Sequence, residues 1–112
     1  MERVYNKLVR DRIPEIIMSK GETPVTRVLN ESEYKEELEK KLLEEYKEVI
    51  EATGNDRREE LADMIEVIRA LGNLENTTIE EIIKIADDKT DKRGAFNDKI
   101  FLEKVVEKEK NI

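Results

Sequence analysis

The sequence predicts an all-α fold: a small helical bundle with short extended segments at its N- and C-terminal ends. Three observations predict it. Apolar residues recur at helical spacing through most of residues 31–93. Cap-forming Asn, Ser, Asp and Thr stand ahead of those stretches, and a glycine follows each. Charged residues are 44% of the chain against 38% hydrophobic, so core residues are scarce by globular standards. Either a small core is wrapped in charged faces or a partner subunit completes it. The 112 residues suit one domain, 1–112.

In chain order, Val4, Leu8 and Val9 alternate loosely and predict a short extended arm. Pro14 suits the first turn of a helix; Ile13, Ile16 and Ile17 give it an apolar side, and Gly21 ends it. Glu22-Thr23-Pro24 reads as loop, and the β-branched stretch Val25–Leu29 as a small strand or more loop. Asn30 with Glu33, or Ser32, caps a long helix from about Glu31 to Thr53, with Gly54 the left-handed residue that stops it. Asp56 with Glu59 reads as the next capping box, opening a helix to about Leu71 that Gly72 ends. Thr77 or Thr78 caps a fourth helix through about Lys92, ended by Gly94. The tail, with Ile100-Phe101-Leu102 and Val105-Val106, reads as strand, helix or both. The brief Gly54-Asn55-Asp56 connection makes the two central helices antiparallel neighbours.

Several function classes fall away. No apolar run approaches the ~18 residues of a membrane span, and Met1–Tyr5 opens no signal-peptide stretch. A soluble cytoplasmic protein without a membrane partner is expected. Cysteine is absent, which removes disulfides, thiolate chemistry and Cys-ligated zinc. Histidine is absent too, and with it the usual general base. Catalysis would have to rest on carboxylates, Lys, Arg, Tyr, hydroxyls or a bound metal. The net charge of −7, with no large basic block, makes nucleic acid a poor partner. The charge is uneven: residues 1–12 are basic through Arg3, Lys7, Arg10 and Arg12, whereas residues 31–60 carry twelve acidic side chains against six basic.

On a wheel of about 100° per residue, Tyr34, Leu38, Leu42, Val49 and Ala52 share one apolar arc. Glu45 lies inside that arc, and Glu48 at its edge. On the next helix Leu61, Met64, Ile65, Val67, Ile68 and Leu71 form the apolar face; Glu60 projects between Val67 and Leu71, and Asp63 flanks it. Each helix therefore aims a pair of carboxylates, three residues apart, at or near its buried side. Unpaired carboxylates there are costly and repel one another. A divalent cation removes both problems, and Mg²⁺, or Mn²⁺, takes oxygen ligands while keeping positions for water and phosphate. The alternative is four solvated charges on Glu-rich helices.

The pattern Glu44-Glu45-x-x-Glu48 followed by Glu60-x-x-Asp63 resembles the signature of the all-α NTP pyrophosphatase superfamily. That superfamily includes MazG-like enzymes, dimeric dUTPases and phosphoribosyl-ATP pyrophosphohydrolases. Lys89-Thr90-Asp91-Lys92-Arg93-Gly94-Ala95-Phe96 resembles the family's Lys-x-x-x-Arg-Gly-x-Phe ending. Tyr5-Asn6-Lys7-Leu8-Val9-Arg10-Asp11-Arg12-Ile13-Pro14 resembles the start of a phosphoribosyl-ATP pyrophosphohydrolase-like subgroup. The connection between the acidic motifs is at the short end of the family's range.

The resemblance implies metal ligands at Glu45, Glu48, Glu60 and Asp63, phosphate-contacting bases at Lys41, Lys89 and Arg93, and a homodimer or higher homo-oligomer. It implies hydrolysis of a nucleotide substrate between its α- and β-phosphates. Lys7, Arg10 and Arg12 could reach across to the phosphates, with about half of that set reading as ordinary surface charge; Glu44 could orient the attacking water, though a solvent-facing Glu is the plainer reading there. Lys89 and Arg93, four apart, also suit the end of a helix dipole. Tyr34, Tyr46 and Phe96 could stack on a base or simply pack. Nucleotide-pool house-cleaning, phosphoribosyl-ATP hydrolysis in histidine synthesis, and a non-enzymatic acidic module for a basic partner all fit the sequence.

Overall fold

The computed structural model describes residues 1–109, so the last three positions of the expected tail lie outside it. The described residues form four helices and no strand: α1 (Ile13–Ser19), α2 (Glu31–Glu51), α3 (Gly54–Leu74) and α4 (Ile79–Arg93). The all-α expectation holds. The chain divides into two compact units, Met1–Ile79 and Glu80–Ile112. None of the described helices is long and apolar enough to cross a membrane.

The first unit is organised by the α2–α3 hairpin, whose helices pack along each other. Asn30 opens α2 with a complete capping box. The Glu33 backbone N–H donates to Asn30 Oδ1 at 2.9 Å, and the Asn30 N–H donates to Glu33 Oε1 at 3.5 Å. Arg27 then grips Glu33 at 2.9 Å, which holds the Glu33 carboxyl below its usual range, with the Asn30 backbone bond adding to the effect. Residues 25–29 are loop, and α1 opens with Pro14 in its first turn, as expected. Ile13 and Ile17 are half-buried, whereas Ile16 is exposed.

Three boundaries differ from expectation. Ala52 and Thr53 are extended, and α3 begins at Gly54, whose φ of +58° reverses the chain between the two helices. Gly54 therefore starts α3 instead of ending α2. Asp56 consequently falls inside the first turn of α3 and caps nothing; Thr53 occupies the cap position without a side-chain bond. Gly72 does not end α3, which runs on to Leu74. Its carbonyl accepts from the N–H groups of Glu75 and Thr77, and the left-handed residue of that turn is Asn76, at φ +56°. Asn tolerates this conformation better than other side chains, so the exit lies four residues beyond the expected glycine.

Among the described residues the buried apolar side chains are Leu38 and Val49 of α2, Val67 of α3, and Ile79. Tyr34, Leu42, Ala52, Met64, Ile68 and Leu71 are half-buried around them. Leu61 and Ile65, expected in the core, are exposed: the two-helix layer is too thin to cover that side of α3. In the second unit α4 ends at Gly94, whose N–H donates to the Thr90 carbonyl at 2.8 Å with φ +81°, the expected glycine stop. Residues 94–109 form neither helix nor strand.

Candidate metal centre

The hairpin sets the level of each acid. Glu45 stands six residues before the last residue of α2, and Glu60 six residues after the first of α3. At ~1.5 Å of rise per residue both lie about 9 Å from the turn, so they face each other across the helix pair. Asp63 is one turn further along α3, on the same side. The three carboxylates offer oxygens that all lie within 4.8 Å of one another. Glu45 is only 8% exposed, and Glu60 and Asp63 are half-buried.

This proximity has an electrostatic signature. Burial, first of all, pushes the Glu45 carboxyl above its usual range; the charges of Asp63, Glu60 and Glu44 add to it and Lys41 opposes it. The Glu60 carboxyl is raised too, by loss of solvent and then by Glu48 and Asp63, while a hydrogen bond with Glu45 works the other way. Glu45 and Glu60 thus bind their protons more firmly than free carboxylates do, because loss of solvent and then the neighbouring negative charges disfavour the ionised form.

Glu48 is exposed and is not among the three converging acids. It sits three residues from the end of α2, nearer the turn than Glu60. It borders a shallow groove along α2 with Lys40, Leu43, Glu44, Lys47 and Glu51, and reaches Glu60 through its charge.

Basic side chains from two directions meet the cluster. The half-buried Lys41 on α2 places Nζ 3.5 Å from Glu44 Oε1 and 4.0 Å from Glu45 Oε1. Lys7 of the N-terminal arm comes within 3.6 Å of Glu44 Oε1. Arg10 of the same arm donates to Asp63 Oδ1 at 2.8 Å. Sequence periodicity offers no signal for that last pair, which joins residues 53 positions apart. Arg12 lies beside Glu15 instead, at 3.8 Å. Lys89 and Arg93 belong to the second unit, on the last turns of α4, and both are exposed. Of the aromatic residues weighed as base-stacking groups, Tyr34 is half-buried, while Tyr46 and Phe96 are exposed.

Three carboxylates are hard oxygen donors of the kind Mg²⁺ and Mn²⁺ favour, and three leave coordination positions for water or phosphate. The donor set therefore fits such a cation, and the raised carboxyls would gain most from one.

The described residues are thus helices and loops alone, with a carboxylate cluster between two helices of a hairpin. Comparison with known proteins adds one relative. The chain is 50% identical over 50 residues to a protein of Mycolicibacterium smegmatis described only as uncharacterized. The match covers 45% of this chain, and the chain spans about half, 51%, of that protein's length. No protein-family model and no solved structure matches the chain.

Proposed function

We propose that this chain is a Mg²⁺-dependent nucleotide pyrophosphohydrolase of the all-α NTP pyrophosphatase, MazG-like superfamily. On this reading it cleaves a nucleoside triphosphate to monophosphate and pyrophosphate in the cytoplasmic nucleotide pool. One observation carries the reading: oxygens of Glu45, Glu60 and Asp63, from two helices, lie within 4.8 Å of one another. A bound cation would neutralise phosphate charge and acidify the water it holds, so the lack of histidine is no obstacle. Glu45, Glu60 and Asp63 are the residues that would hold it, with Glu48 close enough to tune Glu60. On this reading Lys41, on α2 beside the cluster, would meet a phosphate, and Glu44 would orient water. Lys89 and Arg93 remain candidate phosphate contacts by the family resemblance.

The same reading makes the protein a homodimer or higher homo-oligomer. Leu43, Tyr46 and Ile50 recur along one face of α2, and all three are more than half exposed. With Leu61 and Ile65 of α3 they give an apolar surface for which a second copy is the proposed cover.

The test is incubation of the protein with a panel of NTPs, dNTPs and phosphoribosyl-ATP in the presence of Mg²⁺. Monophosphate plus pyrophosphate is the expected product pair from a triphosphate, and the preferred substrate separates house-cleaning from histidine synthesis. Orthophosphate release, or no turnover together with no stabilisation by Mg²⁺ or Mn²⁺, overturns the proposal; the second result favours an acidic interaction module. Glu45→Gln and Asp63→Asn are each expected to lower turnover about a hundredfold or more, with helicity by circular dichroism unchanged.

A further inference from the structure

The N-terminal arm brings two cations to the acids through direct contacts. Arg10 donates to Asp63 at 2.8 Å, and Lys7 lies 3.6 Å from Glu44. These are not two equal contacts. Glu44 has a second cation, Lys41, at 3.5 Å on its own helix, so Lys7 can leave without orphaning it. Arg10 sits on one of the three oxygens' carboxyls, the place a cation must take.

Both members of the Arg10–Asp63 pair are accessible, with side chains 58% and 45% exposed. An exposed pair of this kind is weak and exchanges readily. Arg10 itself lies outside the helices, its backbone tied to the start of α1 by the Ile13 N–H at 3.0 Å, so the exchange requires movement of its side chain alone. Guanidinium is also the side chain best matched to phosphate oxygens, through a planar two-pronged fork. Displaced from Asp63 by a cation, the fork would be free to pair with phosphate oxygens held by that cation.

We infer that Arg10 is an exchange residue: it neutralises Asp63 in the cation-free protein and transfers to the phosphate when a cation–polyphosphate complex binds. This inference rests on the cation-site reading above and adds to it a binding rule. The bare cation has to break the Arg10–Asp63 pair without compensation. The cation–polyphosphate complex breaks the same pair and returns a partner to Arg10. The site therefore favours the complex over the bare ion, and by linkage the coupling is reciprocal.

Arg10→Gln should shift the two ligands in opposite directions. Binding of Mn²⁺ alone, followed by the electron paramagnetic resonance of the free ion, should tighten about two- to fivefold, the worth of an exposed ion pair. Binding of the preformed Mn²⁺–pyrophosphate complex, followed by calorimetry, should weaken about tenfold, the worth of a charge-assisted hydrogen bond. Arg12→Gln makes the same charge change on the same arm and should move both much less. Equal shifts in Arg10→Gln and Arg12→Gln would reduce the effect to general charge and overturn the inference. So would two shifts of the same sign, or none, in Arg10→Gln while the unaltered protein binds Mn²⁺; the cation-site reading would survive these results. Failure of the unaltered protein and of Arg10→Gln alike to take up Mn²⁺ overturns both. Circular dichroism of each variant establishes that the helices are intact.

Discussion

Glu45 combines two roles that conflict without a cation. It occupies a position among apolar side chains, and it faces two further carboxylates. Its raised carboxyl, and that of Glu60, mean that the folded chain keeps protons the unfolded chain has already lost. The stability this contributes is full below the ordinary value of 4.5 and is lost as pH rises through the raised values. The cation-free protein is therefore expected to melt at higher temperature as pH falls from 7 toward 5. Glu33 has the opposite sign. Its carboxyl is lowered, so its contribution is present above 4.5 and disappears as pH falls through the lowered value. Melting curves in chelator should thus pass through a maximum in mild acid. Millimolar Mg²⁺ should flatten the limb between pH 5 and 7, because the cation takes over the neutralising role of the protons. A cation-free melting temperature that falls steadily from pH 7 to 5 would contradict the cluster. In chelator at pH 7, Glu45→Gln should melt at a higher temperature than the unaltered protein, although it is expected to be inactive.

At the scale of elements, what was legible in the sequence depended on whether a local rule or a long-range one decided it. The helical period alone placed Glu45 within the apolar arc of α2, and the structure buries it there. The Asn30–Glu33 capping box spans four residues, and it is present in full. Replacing Asn30 by Ala should cost about 1 kcal/mol, read as a lower urea midpoint with an unchanged slope. Glycine positions were less informative, since the same residue can stop one helix or start the next. Gly54 does the latter, with its φ of +58°. Gly54→Ala should destabilise by roughly 1–2 kcal/mol through backbone strain alone, for an added methyl there meets no neighbour within 4 Å. That turn also fixes the level of the acids. A shift of the turn by a few residues moves each carboxylate by about 1.5 Å per residue along its helix. The exclusion of Glu48 from the converging three follows from where the turn falls, which the wheel of a single helix does not contain. The uneven charge pointed the basic arm toward the acidic centre, but the particular Arg10–Asp63 pairing was not legible: its partners meet only after the arm and hairpin are folded.

At the scale of the whole molecule, 38% hydrophobic residues against 44% charged ones leave little to bury. Its described buried apolar side chains are four, none with less than 2% exposure, while Leu43, Tyr46, Ile50, Leu61 and Ile65 stay 45–64% exposed. Full burial of a Leu or Ile side chain contributes about 1.5–3 kcal/mol, so covering what remains of these five would stabilise an assembly by several kcal/mol. That gain acts against repulsion, because each copy carries a net charge of −7. The balance predicts a salt dependence opposite in sign to one held by ion pairs. Sedimentation equilibrium should show the protein associating, and raising ionic strength from about 0.05 to 0.5 M should tighten the association as the Debye length shrinks below ~10 Å. Ile50→Glu adds a charge to the apolar surface and is expected to shift the population toward monomer with a lower melting temperature. Lys20→Glu, about twice the charge change at an exposed site beyond α1, should leave the mass near that of the unaltered protein at high salt. A strictly monomeric protein at micromolar concentration, unaffected by either substitution, would mean that the hairpin is stable with this surface open to water.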